Sequence, residues 1–182
     1  MSGPTARGIP TLQTERLTLR AHRHEDLDAY AALWVDPAVT RYTSGRPFSR
    51  EEAWIRILRY GGHWGFLGYG FWVIEERASG RLVGETGFHD LKRGLTPSIE
   101  GTPEAGWMLA PDLHGQGYAR EAVAAIHAWG DRHFDTGSTV CIIHPDNAAS
   151  LRVAEACGYL RETLTTYLGD PTIILRRTSP RG

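Results

Sequence analysis

Polar and apolar residues alternate through Glu15-Arg16-Leu17-Thr18-Leu19-Arg20, with Leu12 just upstream, and this period of two predicts a first strand in a fold that starts near Thr11. From His24 the period lengthens. Leu27, Tyr30, Ala31 and Trp34 recur on one helical face, and Asp36-Pro37 ends the run. A second helix is expected after Ser49, whose spacing to Glu52 makes a capping box, with Ala53, Trp54, Ile57 and Leu58 on its apolar face. Glycines at 61, 62, 65, 68 and 70 then predict a flexible link.

Beyond the glycines, Phe71-Trp72-Val73-Ile74-Glu75 and residues 81–88 predict a hairpin turning at Ser79-Gly80. A polar loop spans 92–103, and Glu104-Ala105-Gly106-Trp107-Met108-Leu109-Ala110 is a short strand closed by Pro111. Ala119, Ala122, Val123, Ile126, Trp129 and Phe134 keep helical spacing. A β-branched strand follows at 139–144, then a helix from Pro145-Asp146-Asn147 with Leu151, Ala154 and Cys157 inward and Gly158 as its stop. Residues 159–162 and 172–176 close the chain as strands. Residues 1–10, with Gly3, Pro4, Gly8 and Pro10, are expected to be a loose leader, and 11–178 one domain.

The join at His114-Gly115-Gln116-Gly117-Tyr118-Ala119-Arg120-Glu121 carries the chemistry, because a glycine-rich turn there runs straight into a helix. A helix N-terminus offers unpaired N–H groups and the positive end of a dipole, so a phosphate or pyrophosphate fits. A P-loop needs Lys and then Ser or Thr after its second glycine, where this chain has Tyr118-Ala119. The dinucleotide fingerprint needs a third small residue where Arg120 stands. Taken alone, the glycines are equally consistent with a plain turn.

Length and composition narrow the classes. With 182 residues one core is the default. A net charge of −1 leaves no electrostatic footprint for nucleic acid, and Arg176-Arg177 reads as a solvated strand end. Two cysteines, Cys141 and Cys157, lack disulfide or zinc spacing and are expected as buried thiols. Eight histidines include no HExxH pair, so no metal is expected. No secretory pattern and no membrane-length apolar run occur, which together predict a cytoplasmic protein.

The element order resembles the GNAT superfamily of acyl-coenzyme A N-acyltransferases. His114-Gly115-Gln116-Gly117-Tyr118-Ala119 is similar to that family's Q/R-x-x-G-x-G/A turn, and Asn147-Ala148-Ala149-Ser150 leading to Cys157-Gly158-Tyr159 is similar to its next conserved segment. With residues 14–20 and 104–109, the likeness is greatest to the branch that includes ribosomal-protein-alanine N-acetyltransferases, over roughly residues 11–177. The resemblance implies a mixed α/β fold: a mostly antiparallel twisted sheet of six to seven strands, splayed between the fourth and fifth, flanked by about four helices.

It also implies acetyl-CoA as co-substrate, held by Met108, Leu109, Ala110, His114, Gly115, Gln116, Gly117, Tyr118, Ala119, Arg120, Asn147 and Ser150. A backbone N–H near Met108 or Leu109 is the family's usual polariser of the thioester oxygen. Glu104 corresponds to an acidic position often seen in the branch and is the candidate general base, with Glu85 and His89 able to face the same cleft. Where many relatives carry a tyrosine acid, this chain has Ala154, which leaves Ser150 or an unassisted thiolate. Asn147 is equally a helix cap, and Ser150 equally bonds its own helix. Trp34, Tyr42, Phe48 and Trp54 supply aromatic surface near the first two helices, where an amine acceptor would be chosen, though most of them read as core and not pocket. Two further readings stand beside this one: a catalytically silent acyl-CoA sensor, and a transferase of another acyl group. Exposed strand edges near the C-terminus permit a homodimer.

Overall fold

The computed structural model describes residues 8–180. Eight strands form one sheet: β1 Leu12–Gln13, β2 Leu17–Arg20, β3 Phe71–Glu76, β4 Leu82–His89, β5 Glu104–Leu109, β6 Ser138–Ile143, β7 Leu160–Tyr167 and β8 Asp170–Thr178. Their order is β1-β2-β3-β4-β5-β6-β8-β7, and every neighbouring pair is antiparallel except β5 with β6. Five helices flank it: α1 Leu27–Leu33, α2 Pro37–Thr40, α3 Arg50–Leu67, α4 Tyr118–His133 and α5 Ala148–Ala156. The mixed α/β architecture is the one expected, with one strand and one helix more than the sequence pattern supplied.

The sheet is covered on both faces, so successive strand residues feed different cores. Phe71 and Val73 of β3 pack with Leu27, Tyr30, Trp34, Ile57 and Tyr60 under α1 and α3. Trp72 and Ile74 pack with Ala122, Ile126 and Trp129 of α4 and Leu151 and Ala154 of α5. The segment 92–103 is less polar than expected in its packing: Leu95 and Ile99 are buried against Val140 and Ile174.

Several expectations need correction. The glycines at 61, 62 and 65 are not a link; they lie within α3, which ends only at Gly68, in the left-handed conformation at φ 72°. The helix persists because Trp64 is anchored, its indole N–H donating to the Phe71 carbonyl at 3.1 Å and its ring set edge-on against Trp72 and Trp129. Asp36-Pro37 does end the first helical run, but it also starts α2, with the Asp36 carboxylate accepting from the Ala38 amide. Leu58 faces solvent, and Cys157 is only half-buried. Arg176 and Arg177 are not merely solvated: Arg177 forms a bidentate pair with Asp131, and Arg176 pairs with Glu162. The expected leader falls outside the described residues up to position 7; at its end, the Pro10 carbonyl accepts from the Trp72 indole at 2.7 Å.

Gly87 is required by close approach. A Cβ there would lie 2.3 Å from the Gly70 carbonyl oxygen and 2.4 Å from the Phe71 Cα, both backbone atoms that cannot swing away. Gly87→Ala is expected to cost about 2–4 kcal/mol by forcing β3 and β4 apart. Denaturant unfolding checks this, and an unchanged midpoint would refute it.

Candidate active site

The parallel pair β5–β6 separates almost as soon as it forms. Its register holds at Glu104↔Val140 alone, with the Val140 amide donating to the Pro103 carbonyl at 3.0 Å. Beyond that point the two strands diverge, and a cavity of about 650 Å³ opens there, lined by Trp107 and Met108 from β5, Cys141–His144 from β6 and just beyond it, and Asn147 and Ser150 from the start of α5. This is the expected splay.

Backbone direction alternates along β5. The Ala110 amide donates to the Val83 carbonyl at 2.7 Å, so positions 110, 108 and 106 direct their amides toward β4, and 109 and 107 direct theirs toward the gap. Of the two expected polarisers, Leu109 therefore offers its N–H to the splay, and Met108 lines the cavity with its side chain. The Leu109 carbonyl accepts from His114 Nε2 at 3.0 Å, which ties the strand end to the glycine turn. At a position where the related pattern expects Gln or Arg, His114 thus acts inward.

The turn is shaped by Gly115 at φ 75° and Gly117 at φ 81°, and Gly117 is the N-cap of the 16-residue α4. Among the described residues no acceptor takes the amides of Gly115, Gln116, Gly117, Tyr118, Ala119 or Arg120; the first helical bond is from Glu121 to the Gly117 carbonyl. The turn is held from behind. Arg16 donates to the Gln116 carbonyl at 3.0 Å, lies 4.0 Å over the Tyr118 ring, and pairs with Glu121 at 2.7 Å. Glu121 also accepts from Thr14 Oγ1 and from the Arg16 amide, so its charge is absorbed locally.

Asn147 caps α5, its Oδ1 accepting from the Ser150 amide at 3.1 Å. The Ser150 hydroxyl makes no hydrogen bond within the described residues and lines the cavity. Ala154 is fully buried in the core beneath α5. Tyr42 closes one side of the mouth: its hydroxyl donates to the Asp146 carbonyl at 3.2 Å, and its ring stacks on His144.

Glu85, His89 and Glu104 all line this cavity. Positions 85 and 89 share one face of β4, and the register sets His89 directly opposite Glu104. Glu104 is 4% exposed; Arg93 donates to both of its oxygens at 2.7 and 3.0 Å, and His89 Nε2 lies 3.0 Å from Oε1. Burial raises the Glu104 pKa, but His89 and Arg93 outweigh it and hold the carboxyl below its ordinary range. Glu85, 1% exposed, accepts from the hydroxyls of Tyr30 at 2.7 Å and Tyr60 at 2.8 Å and from Arg56 at 3.1 Å. Here too burial is overcome, chiefly by Arg56 and His22, and the pKa falls to about 2.

Arg56, Tyr60 and Arg93 escaped the sequence reading. Arg56 and Tyr60 stand one turn apart on α3 and reach the same strand residue, and no local pattern marks that. Trp34 and Phe48 stack at 4.7 Å and line the cavity with Tyr42, whereas Trp54 lies away from it. Among the described residues no cluster suited to a metal ion occurs, and no helix is long and apolar enough to cross a membrane.

The sequence profile of the acetyltransferase (GNAT) domain matches residues 16–160. The uncharacterized protein YkkB of Bacillus subtilis is 31% identical, over 92% of this chain and 95% of YkkB. A solved GnaT-family acetyltransferase from Bordetella pertussis superposes with a TM-score of 0.83 at 30% identity, over 93% of this chain and 99% of that one. RimL, a ribosomal L7/L12 alpha-N-protein acetyltransferase solved in complex with coenzyme A, shares the fold at 19% identity, with a TM-score of 0.77 over 93% and 98% of the two chains. With the splayed sheet and the glycine turn, these matches establish that the chain belongs to the GNAT family, as an acetyl-CoA-dependent acetyltransferase.

Proposed function

We propose that the protein is an N-acetyltransferase that moves an acetyl group from acetyl-CoA to a primary amine, of a protein N-terminus or of a small molecule, by direct attack in a ternary complex. The carrying observation is the run of six unengaged amides from Gly115 to Arg120 at the N-terminus of α4. Such a cradle, with the helix dipole behind it, suits a pyrophosphate, and any non-proline residue supplies it. A bound acetyl-CoA contributes the activated thioester.

The chain's own residues do the rest. Binding both reactants in one cleft supplies much of the barrier reduction, on the order of 7–11 kcal/mol in favourable cases. The Leu109 amide stabilises negative charge developing on the thioester oxygen. Glu104, its carboxyl held below the ordinary range by His89 and Arg93, takes the ammonium proton, and a carboxylate of low pKa passes it quickly to solvent. Asn147 orders the start of α5, and the Ser150 hydroxyl hands a proton to the departing thiolate as it takes up, through water, the one that the acylated nitrogen loses.

Calorimetry with acetyl-CoA, followed by thiol release over a panel of amines, tests the reading. Saturable binding with amine-dependent release is expected; absence of binding would overturn it. Glu104→Gln is expected to lower kcat/KM about 100-fold with acetyl-CoA affinity retained. A loss of affinity instead would make Glu104 a structural residue.

One observation favours a second reading. Ala154 supplies no acid, as a catalytically silent acyl-CoA sensor would tolerate, and the sensor reading predicts binding with no thiol release for any amine.

A further inference from the structure

Resting on the transferase reading, we infer that the acceptor is a primary amine carrying a carboxylate close to the nitrogen, and not a polycationic amine. The inference comes from which charges in the cavity are already neutralised.

Two carboxylates lie inside it, and neither has charge to spare for any group but the reacting amine. Glu85 accepts from Tyr30, Tyr60 and Arg56, and Glu104 accepts twice from Arg93 and faces His89. A second ammonium on an incoming acceptor finds neither of them available. It meets only Asp170, at the exposed rim.

The cations are differently placed. Arg41 and Arg59 line the cavity and form no ion pair among the described residues. Arg56 and Arg93, which also line the cavity, use Nε and Nη2 on the two carboxylates, and Nη1 of each makes no hydrogen bond among the described residues. Guanidinium groups with donors left over suit a carboxylate, which accepts from two at once. Phe48, stacked on the fully buried Trp34 beside Arg56, offers apolar surface to the rest of the acceptor.

The volume agrees with an acceptor of modest size. About 650 Å³ lies within the range of small-molecule pockets and must also admit the thioester end of the donor. A free amino acid and the acidic start of a peptide both present this chemistry.

Initial-rate thiol release at saturating acetyl-CoA tests the inference with five acceptors: L-phenylalanine, L-phenylalaninamide, tripeptide amides beginning Asp and Asn, and spermidine. The amide has the less basic amine and more of its free base at neutral pH, so preference for the acid reports binding and not nucleophile supply. Acid over amide by about tenfold or more is expected, as is weak turnover of spermidine. Preference for L-phenylalanine would identify a free amino acid, and preference for the Asp over the Asn peptide a peptide start.

The double variant Arg41→Gln/Arg59→Gln is expected to erase the acid preference, and Arg41→Lys/Arg59→Lys to keep most of it. Equal rates within both pairs, acid against amide and Asp against Asn peptide, spermidine as the best acceptor, or an unchanged preference in the Gln variant would each overturn the inference. No thiol release with any amine, despite acetyl-CoA binding in calorimetry, would instead be failure of the transferase reading.

Discussion

Gly117→Asp is expected to weaken acetyl-CoA binding by at least about 1,000-fold, roughly 4 kcal/mol, and to leave the fold intact. The two halves of this expectation have separate causes. Gly117 sits at φ 81°, and a Cβ there would meet only Arg16 Nη2, at 3.5 Å, the movable end of a long side chain. Asp tolerates the left-handed region better than most residues, so folding costs little. Binding suffers for another reason. A carboxylate at the centre of the amide run from Gly115 to Arg120 competes for those donors and repels the phosphates they would hold. Gly117→Asn is the control, of the same shape without the charge, and should lose far less. Calorimetry reads both variants, and circular dichroism confirms that each is folded. If Asp and Asn weaken binding equally, sterics and not the anion cradle explain the loss; if neither does, the cradle is elsewhere.

The glycine turn is legible in the sequence because its geometry is local: two glycines beside a periodic helix mark a turn running into a helix N-terminus, though by themselves they fit a plain turn equally well. The strands were legible for the same reason, since alternation is a property of neighbours. Misreadings arose where a distant residue decides. Glycines 61, 62 and 65 each lower helix propensity by about 1 kcal/mol relative to alanine. That penalty is overridden by Trp64, whose partners Trp72 and Trp129 come from a strand and a helix later in the chain. Two-residue β1 is too short to show a period and exists because it pairs with β2. At the site, alternation places Glu85 and His89 on one side of a strand, but the partners of Glu85 on α1 and α3, and the Arg93 that joins His89 at Glu104, are tertiary facts. The sequence could suggest which carboxylates face the cleft, not that both are neutralised there.

That neutralisation sets the other large expected effect. Arg56→Met should destabilise the protein by about 3 kcal/mol, because it leaves Glu85 buried without its guanidinium partner and with only His22, 3.8 Å away, in its place. For a domain of this size the melting temperature should fall by roughly 10 °C. Glu85 keeps the Tyr30 and Tyr60 hydroxyls, but two neutral donors do not replace a guanidinium at 3.1 Å. The pH response separates this cause from simple loss of packing. In the parent the Glu85 pKa is depressed to about 2 from 4.5, so its contribution to stability is complete above the unfolded value and is lost as pH falls through the folded one. In Arg56→Met only the two hydroxyls and His22 oppose the desolvation of the carboxyl, and its folded pKa should rise above the unfolded value. The folded state then binds the extra proton, so the variant should gain stability on going from about pH 7 to about pH 5. The parent should not. Adding Glu85→Gln should recover more than half of the loss at neutral pH, since a neutral amide can accept from one tyrosine hydroxyl and donate to the other. Thermal unfolding at the two pH values, on parent, single and double variants, decides the matter. A loss in Arg56→Met that is the same at both pH values, and is not repaired by Glu85→Gln, would mean that Arg56 acts through its contact with Trp34 at 4.3 Å and not through the buried charge.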